Sequence, residues 1–274
     1  MLASHFFISP QDLWSSIGTA RAPQIVDVRR REAYESAQGV LPASAWLDPA
    51  SADGSTEALD RRRTVVVACE FGHQLSQMTA ADLRARGFEA RVLEGGYAAW
   101  AAAGLPLVDR AALARFAPQR PSLWVTRRRP KIDRIACPWL IRRFLDPQAR
   151  ILFVDPPEVA GVAAASGAVP FDIEGVELSH EGSLCSFDTM LRIFGLGSDP
   201  NLARLALIVR GADTARLDLA PEAAGLLAVS LGLSALAGDD DHGLIERGFA
   251  VYDALFAWAR FAGDERHGWP AKAA

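Results

Sequence analysis

The residue with the clearest capacity for chemistry is Cys69, which ends an apolar run at 64–69 and precedes a polar loop. The run is continuous and β-branched, which is typical of a parallel strand buried on both faces. At the carboxyl end of such a strand, the N–H groups of the turn and of the next helix converge on the side chain. Because both favour the thiolate, this spacing predicts a nucleophile. The loop that follows Cys69 comprises Glu70, Phe71, Gly72, His73 and Gln74.

Two interpretations of Cys69 remain open at this stage. A free cysteine is more often a small buried residue than a reactive one. We also expect the Glu70 carboxylate to repel anions and to raise the pKa of the neighbouring thiol. His73 lies in the same loop and can supply a positive charge near the sulfur. The alternatives are therefore working thiol chemistry and an inert scaffold.

A second group of chemically capable residues is basic. The segment 124–146 carries seven arginine and lysine side chains in a chain with a formal net charge of −4. A turn from strand to helix is a favourable place to bind an anion. We predict oxyanion binding by Arg127, Arg128 and Arg134. The alternative is a solvated face, with the arginines paired to acids such as Asp133 and Asp146.

A third group combines the ligand types that zinc or a similar divalent ion prefers, which are imidazole, thiolate and carboxylate. Its members are His180, Cys185, Asp213 and His242. None of them has the tight spacing of a Cys-x-x-Cys pair, so each has an ordinary alternative role. Cys185 can belong to the core, Asp213 can cap a turn, and His242 can lie in the first turn of a helix.

The spacing of apolar residues along the chain predicts the strands and helices that position these residues. In the first part of the chain, strands at 24–28, 64–69 and 90–93 alternate with helices at 76–86 and 97–103, which predicts a doubly wound parallel α/β sheet. Beyond two closely spaced prolines, strands at 122–126 and 150–154 flank a helix at 135–145. Helices then follow at 201–209, 221–236 and 244–261, so the second domain is mixed α/β and mostly helical toward its C-terminus.

The prolines place a linker at 110–121. It separates a first domain, 1–109, from a second, 122–262, and a flexible tail is predicted for 263–274. The net negative charge argues against nucleic acid as a partner. The longest apolar run, 225–238, is too short to span a bilayer, and the N-terminus does not read as a secretory signal. Three scattered cysteines predict reduced thiols in the cytoplasm, and oligomeric state stays open.

Four motifs of the first domain together resemble the rhodanese family. They are Asp27-Val-Arg29, the segment 39–49, the Cys69 loop, and Leu93-Glu-Gly95-Gly96-Tyr-Ala-Ala-Trp100. The resemblance implies a sulfurtransferase in which Cys69 passes through a persulfide, the loop cradles the substrate, and Asp27 and Arg29 belong to the site. The sequence departs from the family in having Gln74 where thiosulfate-using loops end in arginine, and Glu70 where a basic residue is common.

The second domain resembles the chromate-resistance protein family over 123–258. The matching segments are 124–146, 180–188, 210–214 and 218–228. This resemblance implies a role in tolerating or sensing chromate. Family members that regulate transcription carry a different N-terminal region.

Three functional hypotheses follow from these resemblances. One is an oxyanion-stress protein in which a Cys69 thiol works with an anion- or metal-binding domain. Another is a sensor or regulatory module without turnover, and a third is a sulfurtransferase whose second domain recognises the acceptor.

Overall fold

The computed structural model describes residues 6–49 and 58–265. Its N-terminal half alternates short strands and helices. The strands are β1 (Phe7–Ile8), β2 (Gln24–Asp27), β3 (Gly39–Val40), β4 (Ser44–Trp46), β5 (Val65–Ala68), β6 (Ala90–Leu93) and β7 (Val108–Asp109). The helices are α1 (Pro10–Ser16), α2 (Arg31–Ser36), α3 (Gln74–Ala85), α4 (Gly96–Ala102) and α5 (Arg110–Phe116).

The principal sheet is parallel, with the strand order β1-β6-β5-β2-β4. Strand β5 lies in its interior, and all of its side chains are buried, as its continuous apolar sequence predicts. Val65 and Val67 pack with Leu83 of α3 on one face, whereas Val66 belongs to the same core as Trp100 of α4 on the other. Helices thus cover both faces, which confirms the doubly wound α/β prediction.

The C-terminal half begins as α/β and ends as helices, as predicted. Its strands are β8 (Leu123–Arg127), β9 (Arg150–Val154) and β10 (Val169–Pro170). They form a parallel sheet with the order β10-β8-β9. The helices are α6 (Asp133–Leu140), α7 (Val159–Ser166), α8 (Ser186–Ile193), α9 (Pro200–Asp213), α10 (Ala223–Ala237) and α11 (Asp241–Ala257), with π-helical turns continuing α6 over Ile141–Leu145 and α11 over Trp258–Ala262.

The two halves share one hydrophobic core. The Trp14 ring contacts those of Trp100, Phe144 and Phe256 edge-on, at centroid distances of 6.1, 6.2 and 6.4 Å. Gly18 fits beneath them because a Cβ there would lie 2.5 Å from the Phe256 ring. Close aromatic packing of this kind fixes the relative position of the halves.

The structure also bears on the predicted linker and on the predicted C-terminal tail. The predicted linker, 110–121, contains helix α5, whose Leu113 is buried. The tail predicted to be flexible lies outside the described residues from 266 onward. Among the helices of the described residues, none combines the length and the apolar character needed to cross a membrane.

Candidate functional site

Cys69 directly follows β5, and its loop leads into α3 at Gln74. The loop rests on the backbone at the start of α4, where the Tyr97 N–H donates to the Cys69 carbonyl at 2.9 Å. Gly96 has a positive φ, and a Cβ there would overlap the Cys69 carbonyl oxygen. A Cβ on Gly72, which also has a positive φ, would lie 2.7 Å from the Leu93 carbonyl oxygen. Glycine is therefore required on both sides of this contact.

The Cys69 sulfur is surrounded by hydrogen-bonding groups. Its Sγ lies 3.1 Å from the Ser76 hydroxyl, and the backbone N–H groups of Phe71, His73 and Ser76 also bond to it. Burial raises the pKa of the Cys69 thiol, but these hydrogen bonds outweigh burial and leave the pKa below its usual value. The geometry therefore favours the thiolate.

A cleft of about 450 Å³ opens onto the sulfur. A volume of this size suits a small molecule. Phe71 and Met78 are exposed at its rim, with 57% and 63% of their surface accessible. The cleft therefore has an apolar edge. Its lining comprises Arg29, Arg30, Ala33, Cys69, Glu70, Phe71, His73, Gln74, Leu75 and Met78.

Asp27 and Arg29 form a buried ion pair beside the loop, with the Arg29 Nη2 atom 2.7 Å from the Asp27 carboxylate. The Arg29 guanidinium carbon lies 3.8 Å from the centre of the Tyr97 ring. The Arg29 Nη1 atom is buried without a hydrogen-bond partner among the described residues. It lies 3.9 Å from the Glu70 carboxylate. Arg29 thus faces the Glu70 carboxylate. The hydrogen bonds to the sulfur lower the net pKa of Cys69, although a rise from Glu70 was expected.

Sequence analysis missed Arg30, which lines the same cleft. Its side chain is exposed and forms no ion pair with any residue in the described ranges. The sequence could have identified Arg30, because it directly follows the Asp27-Val-Arg29 motif at the carboxyl end of β2. Arg30 is therefore the cationic group best placed to meet an anion in the cleft.

The three arginines predicted to bind an anion are each paired with a carboxylate. Arg127 and Arg134 both contact the Asp172 carboxylate, at 2.8 and 3.2 Å. Arg128 contacts Asp155 at 2.7 Å. Asp155 follows β9 and Asp172 follows β10, the two strands that flank β8, so the carboxyl edge of the second sheet supplies both partners. The pairing is consistent with the ion-pair alternative, although with different acids from those expected.

Four side chains converge in the C-terminal half and form what we call the aspartate–histidine cluster: Asp133, Asp172, His180 and Asp213. The His180 Nε2 atom lies 3.2 Å from carboxylate oxygens of both Asp133 and Asp213, and 3.5 Å from one of Asp172. Asp133 and Asp172 are buried. Asp133, His180 and Asp213 each place a potential ligand atom within 4.8 Å of the others.

Burial and charge perturb the titration of this cluster. The hydrogen bond with Asp133 raises the pKa of His180 to about 9. Burial, together with the Asp133 carboxylate, raises the pKa of Asp213 to about 7. Burial also raises the pKa of Asp172. Strongly perturbed groups that face one another are typical of functional sites.

Separate elements bring the cluster together. Asp133 begins α6, Asp172 follows β10, and Asp213 ends α9. Ser186, at the start of α8, donates its backbone N–H to Asp133 at 3.3 Å and its hydroxyl to Asp172 at 2.7 Å. Sequence analysis identified His180 and Asp213 but did not identify Asp133 or Asp172 as members of this site.

The other two predicted metal ligands lie outside the group of mutually close ligand atoms. The Cys185 Sγ donates to Asp188 at 3.3 Å at the start of α8. Burial raises the pKa of Cys185 far above its usual value, so the sulfur stays protonated. His242 lies in the first turn of α11, where its ring packs edge-on against Phe153. Of the four predicted metal ligands, the structure therefore brings His180 and Asp213 together and places Cys185 and His242 elsewhere.

Comparison with known protein families gives two matches, to consecutive parts of the chain. The rhodanese-like domain family matches residues 9–103, and the family described as ChrB, C-terminal domain, matches residues 124–259. The chain is a rhodanese-like domain joined to a ChrB C-terminal domain. The Cys69 loop lies in the first domain and the aspartate–histidine cluster in the second.

Individual relatives cover part of the chain. Protein ChrB of Cupriavidus metallidurans is 38% identical over 133 residues, which cover 48% of this chain and 39% of that protein. This chain thus spans about two fifths of the length of that curated relative. A rhodanese-like domain protein from Staphylococcus aureus is 26% identical, with a TM-score of 0.32, over 35% of this chain and 90% of its own. A thiosulfate sulfurtransferase from Pseudomonas aeruginosa is 25% identical, with a TM-score of 0.31, over 38% of this chain and 19% of its own.

Proposed function

We propose that this protein carries sulfur on Cys69 and contributes to tolerance of chromate or a related oxyanion in the cytoplasm. The observation that carries the proposal is the thiol itself, which lies at the floor of a cleft with its pKa lowered by surrounding donors. A lowered pKa matters because the thiolate is the form that attacks. The match to the ChrB C-terminal domain supports the link to chromate.

The sulfur-transfer step is a pair of displacements at sulfur. The Cys69 thiolate attacks the outer sulfur of thiosulfate, the sulfur–sulfur bond breaks, and sulfite leaves with the bonding electron pair. The enzyme then holds a persulfide. A second nucleophile, such as cyanide or an acceptor thiolate, attacks the outer sulfur and releases the Cys69 thiolate. The loop N–H groups that stabilise the resting thiolate also stabilise it as the leaving group.

Arg30 is the residue we assign to binding an anionic sulfur donor. The Cys69 loop provides no arginine of its own, since Glu70 and Gln74 occupy positions where thiosulfate-using relatives are basic. Arg30 lines the cleft from the carboxyl end of β2, the strand beside β5. The C-terminal domain would hold the oxyanion or a metal, with small molecules rather than nucleic acid or membrane as partners.

The direct test is cyanolysis. Purified protein is treated with thiosulfate, freed of excess donor and exposed to cyanide, and the released thiocyanate is measured. Wild type should release thiocyanate and Cys69→Ser should release none. Cys185→Ser is the matched control, because serine is a favourable helix cap at that position and the cysteine there stays protonated.

A second candidate is a chromate- or metal-responsive module without turnover. The absence of a basic side chain from residues 70–74, apart from His73, favours it over efficient thiosulfate turnover. It predicts no thiocyanate from wild type, together with a change in the fluorescence of buried Trp124 and Trp139 on titration with chromate. Thiocyanate release combined with an unaltered tolerance of chromate on deletion would instead favour a plain sulfurtransferase.

A further inference from the structure

We propose that Asp133, His180 and Asp213 bind one divalent first-row transition-metal cation. This site lies in the C-terminal half and is independent of the sulfur-transfer chemistry proposed for Cys69. It keeps two of the four ligands expected from sequence and replaces Cys185 and His242 by Asp133. The argument rests on distances, burial and the chemistry of the donor atoms.

The spacing of the donors fits a coordination sphere. Zinc binds imidazole nitrogen and carboxylate oxygen at about 2.1 Å, so two ligands of one ion lie roughly 3.0–3.4 Å apart for octahedral or tetrahedral angles. The His180 Nε2 atom lies 3.2 Å from the Asp133 Oδ2 atom and 3.2 Å from the Asp213 Oδ2 atom. Both separations match edges of such a polyhedron.

The negative charges of the buried carboxylates also favour binding of a cation. Asp133 and Asp172 are each 2% exposed, and a buried carboxylate is costly unless it is compensated. The two nearby arginines, Arg127 and Arg134, both contact Asp172. For Asp133 and Asp213, His180 is the basic side chain within ion-pair distance among the described residues. A bound dication would balance these two carboxylates and leave His180 neutral.

A surrounding shell already orients the carboxylates. Ser186 donates to Asp133 through its backbone and to Asp172 through its hydroxyl. Such outer contacts are typical of metal sites, where they fix the direction of each ligand. Thr189 lies about one turn further along α8, on nearly the same face as Ser186. It is 1% exposed, and its hydroxyl has no hydrogen-bond partner in the described part of the chain.

The donor set narrows the identity of the ion. One imidazole nitrogen with two carboxylate oxygens suits Zn²⁺, Mn²⁺ or Fe²⁺, whereas Ca²⁺ and Mg²⁺ prefer oxygen alone. Cys185 supplies no thiolate, because its sulfur donates to Asp188. Three protein ligands leave a coordination position open, as in catalytic sites. The side chain of His180 is 43% exposed, so water or an anion can reach that position.

Calorimetric titration of chelator-treated full-length protein with Zn²⁺ and with Mn²⁺ tests the site. Wild type should bind one equivalent of at least one of the two ions. His180→Ala should weaken binding by more than about 100-fold, since even outer-shell partners account for roughly 10–100-fold. His242→Ala is the matched control and should bind like wild type, because His242 packs against Phe153 instead.

Asp213→Asn provides a second variant that preserves side-chain shape, and it should also weaken binding. Circular dichroism confirms that each variant is folded. The proposal is overturned if folded wild type binds neither ion, or if His242→Ala loses binding while His180→Ala retains it. Thiocyanate release by His180→Ala should equal that of wild type, so a failure of this site is distinguishable from a failure of Cys69.

Discussion

The Cys69 loop and the aspartate–histidine cluster stabilise charge in opposite ways. The sulfur of Cys69 is held by one side-chain hydroxyl and by peptide N–H groups of a single contiguous loop. The carboxylates of the cluster are held by side chains from separate segments, among them His180, Arg127 and Arg134. The first site depends on local backbone geometry, and the second depends on the assembly of the whole C-terminal domain.

This difference has a consequence for how each site responds to change. Peptide dipoles are fixed by backbone conformation, so substitutions that alter the backbone should damage the thiol site most. Paired charges are fixed by their partners, so removing one carboxylate should leave other charges uncompensated. The predictions below test this contrast in order of expected effect.

The largest effect should come from Asp172→Ala in the cluster. It removes the acceptor for Arg127, Arg134 and Ser186, and losing one partner of a buried charge pair costs about 3–5 kcal/mol. The free energy of unfolding in urea measures this. Asp155→Ala is the control, because its exposed pair with Arg128 should contribute less than about 1 kcal/mol. Equal losses in the two variants would contradict the claim that the buried charges of the cluster depend on their partners.

The next effect concerns the backbone of the thiol site. Gly96→Ala would add a Cβ that overlaps the Cys69 carbonyl, so we expect a loss of about 2–4 kcal/mol and a displaced loop. Gly104 also has a positive φ, but a Cβ there would meet no atom within 4 Å. Gly104→Ala should therefore cost only about 1 kcal/mol. Urea unfolding and alkylation of Cys69 report both quantities, and an unaltered alkylation rate in Gly96→Ala would argue against the loop geometry.

A smaller effect should follow from Ser76→Ala. The hydroxyl bonds to the Cys69 sulfur, so its loss should raise the pKa of the thiol by about one unit, given roughly 1.5 kcal/mol for a hydrogen bond to a charged group. The rate of iodoacetamide alkylation against pH gives this pKa. In wild type the thiolate should persist to lower pH than in a free cysteine, and in Ser76→Ala the midpoint should move upward. If the curves of alkylation rate against pH coincide for wild type and Ser76→Ala, then Ser76 does not lower the pKa of Cys69.

The smallest effect should come from Arg30→Ala. Loss of an exposed positive charge at the cleft should lower kcat/KM for thiosulfate about fivefold, which corresponds to roughly 1 kcal/mol. Arg31→Ala removes the same charge from a side chain already paired with Asp48, and it should change kcat/KM little. A similar decrease in both variants would indicate general electrostatics and not binding by Arg30.

The sequence predicted where Cys69 lies in the fold, because the elements around it are contiguous in the chain. Strand β5, the loop and α3 follow one another, so the spacing around Cys69 was enough to place it. The cluster was predicted only in part. Its composition depends on which helix end meets which strand end, and local patterns contain no such information. Asp133 was considered as an ion-pair partner, and Asp172 was not identified at all.

The same reasoning explains which elements were found. The helices beginning near 201, 221 and 244 were predicted because they are long. Helix α7, Val159–Ser166, was missed because it is short and nearly all apolar or small, without a polar face to mark its period. The shared core was also not predicted. Trp14, Phe144 and Phe256 are far apart in sequence and meet only in the folded chain.

The most direct test of the central claim is the mass of the intact protein after exposure to thiosulfate. Wild type should gain one sulfur atom, which peptide mapping should place on Cys69 and which cyanide should remove. Cys137 and Cys185 are fully buried and should remain unmodified. An unmodified wild-type protein, or a sulfur atom located on either of the other cysteines, would contradict the account.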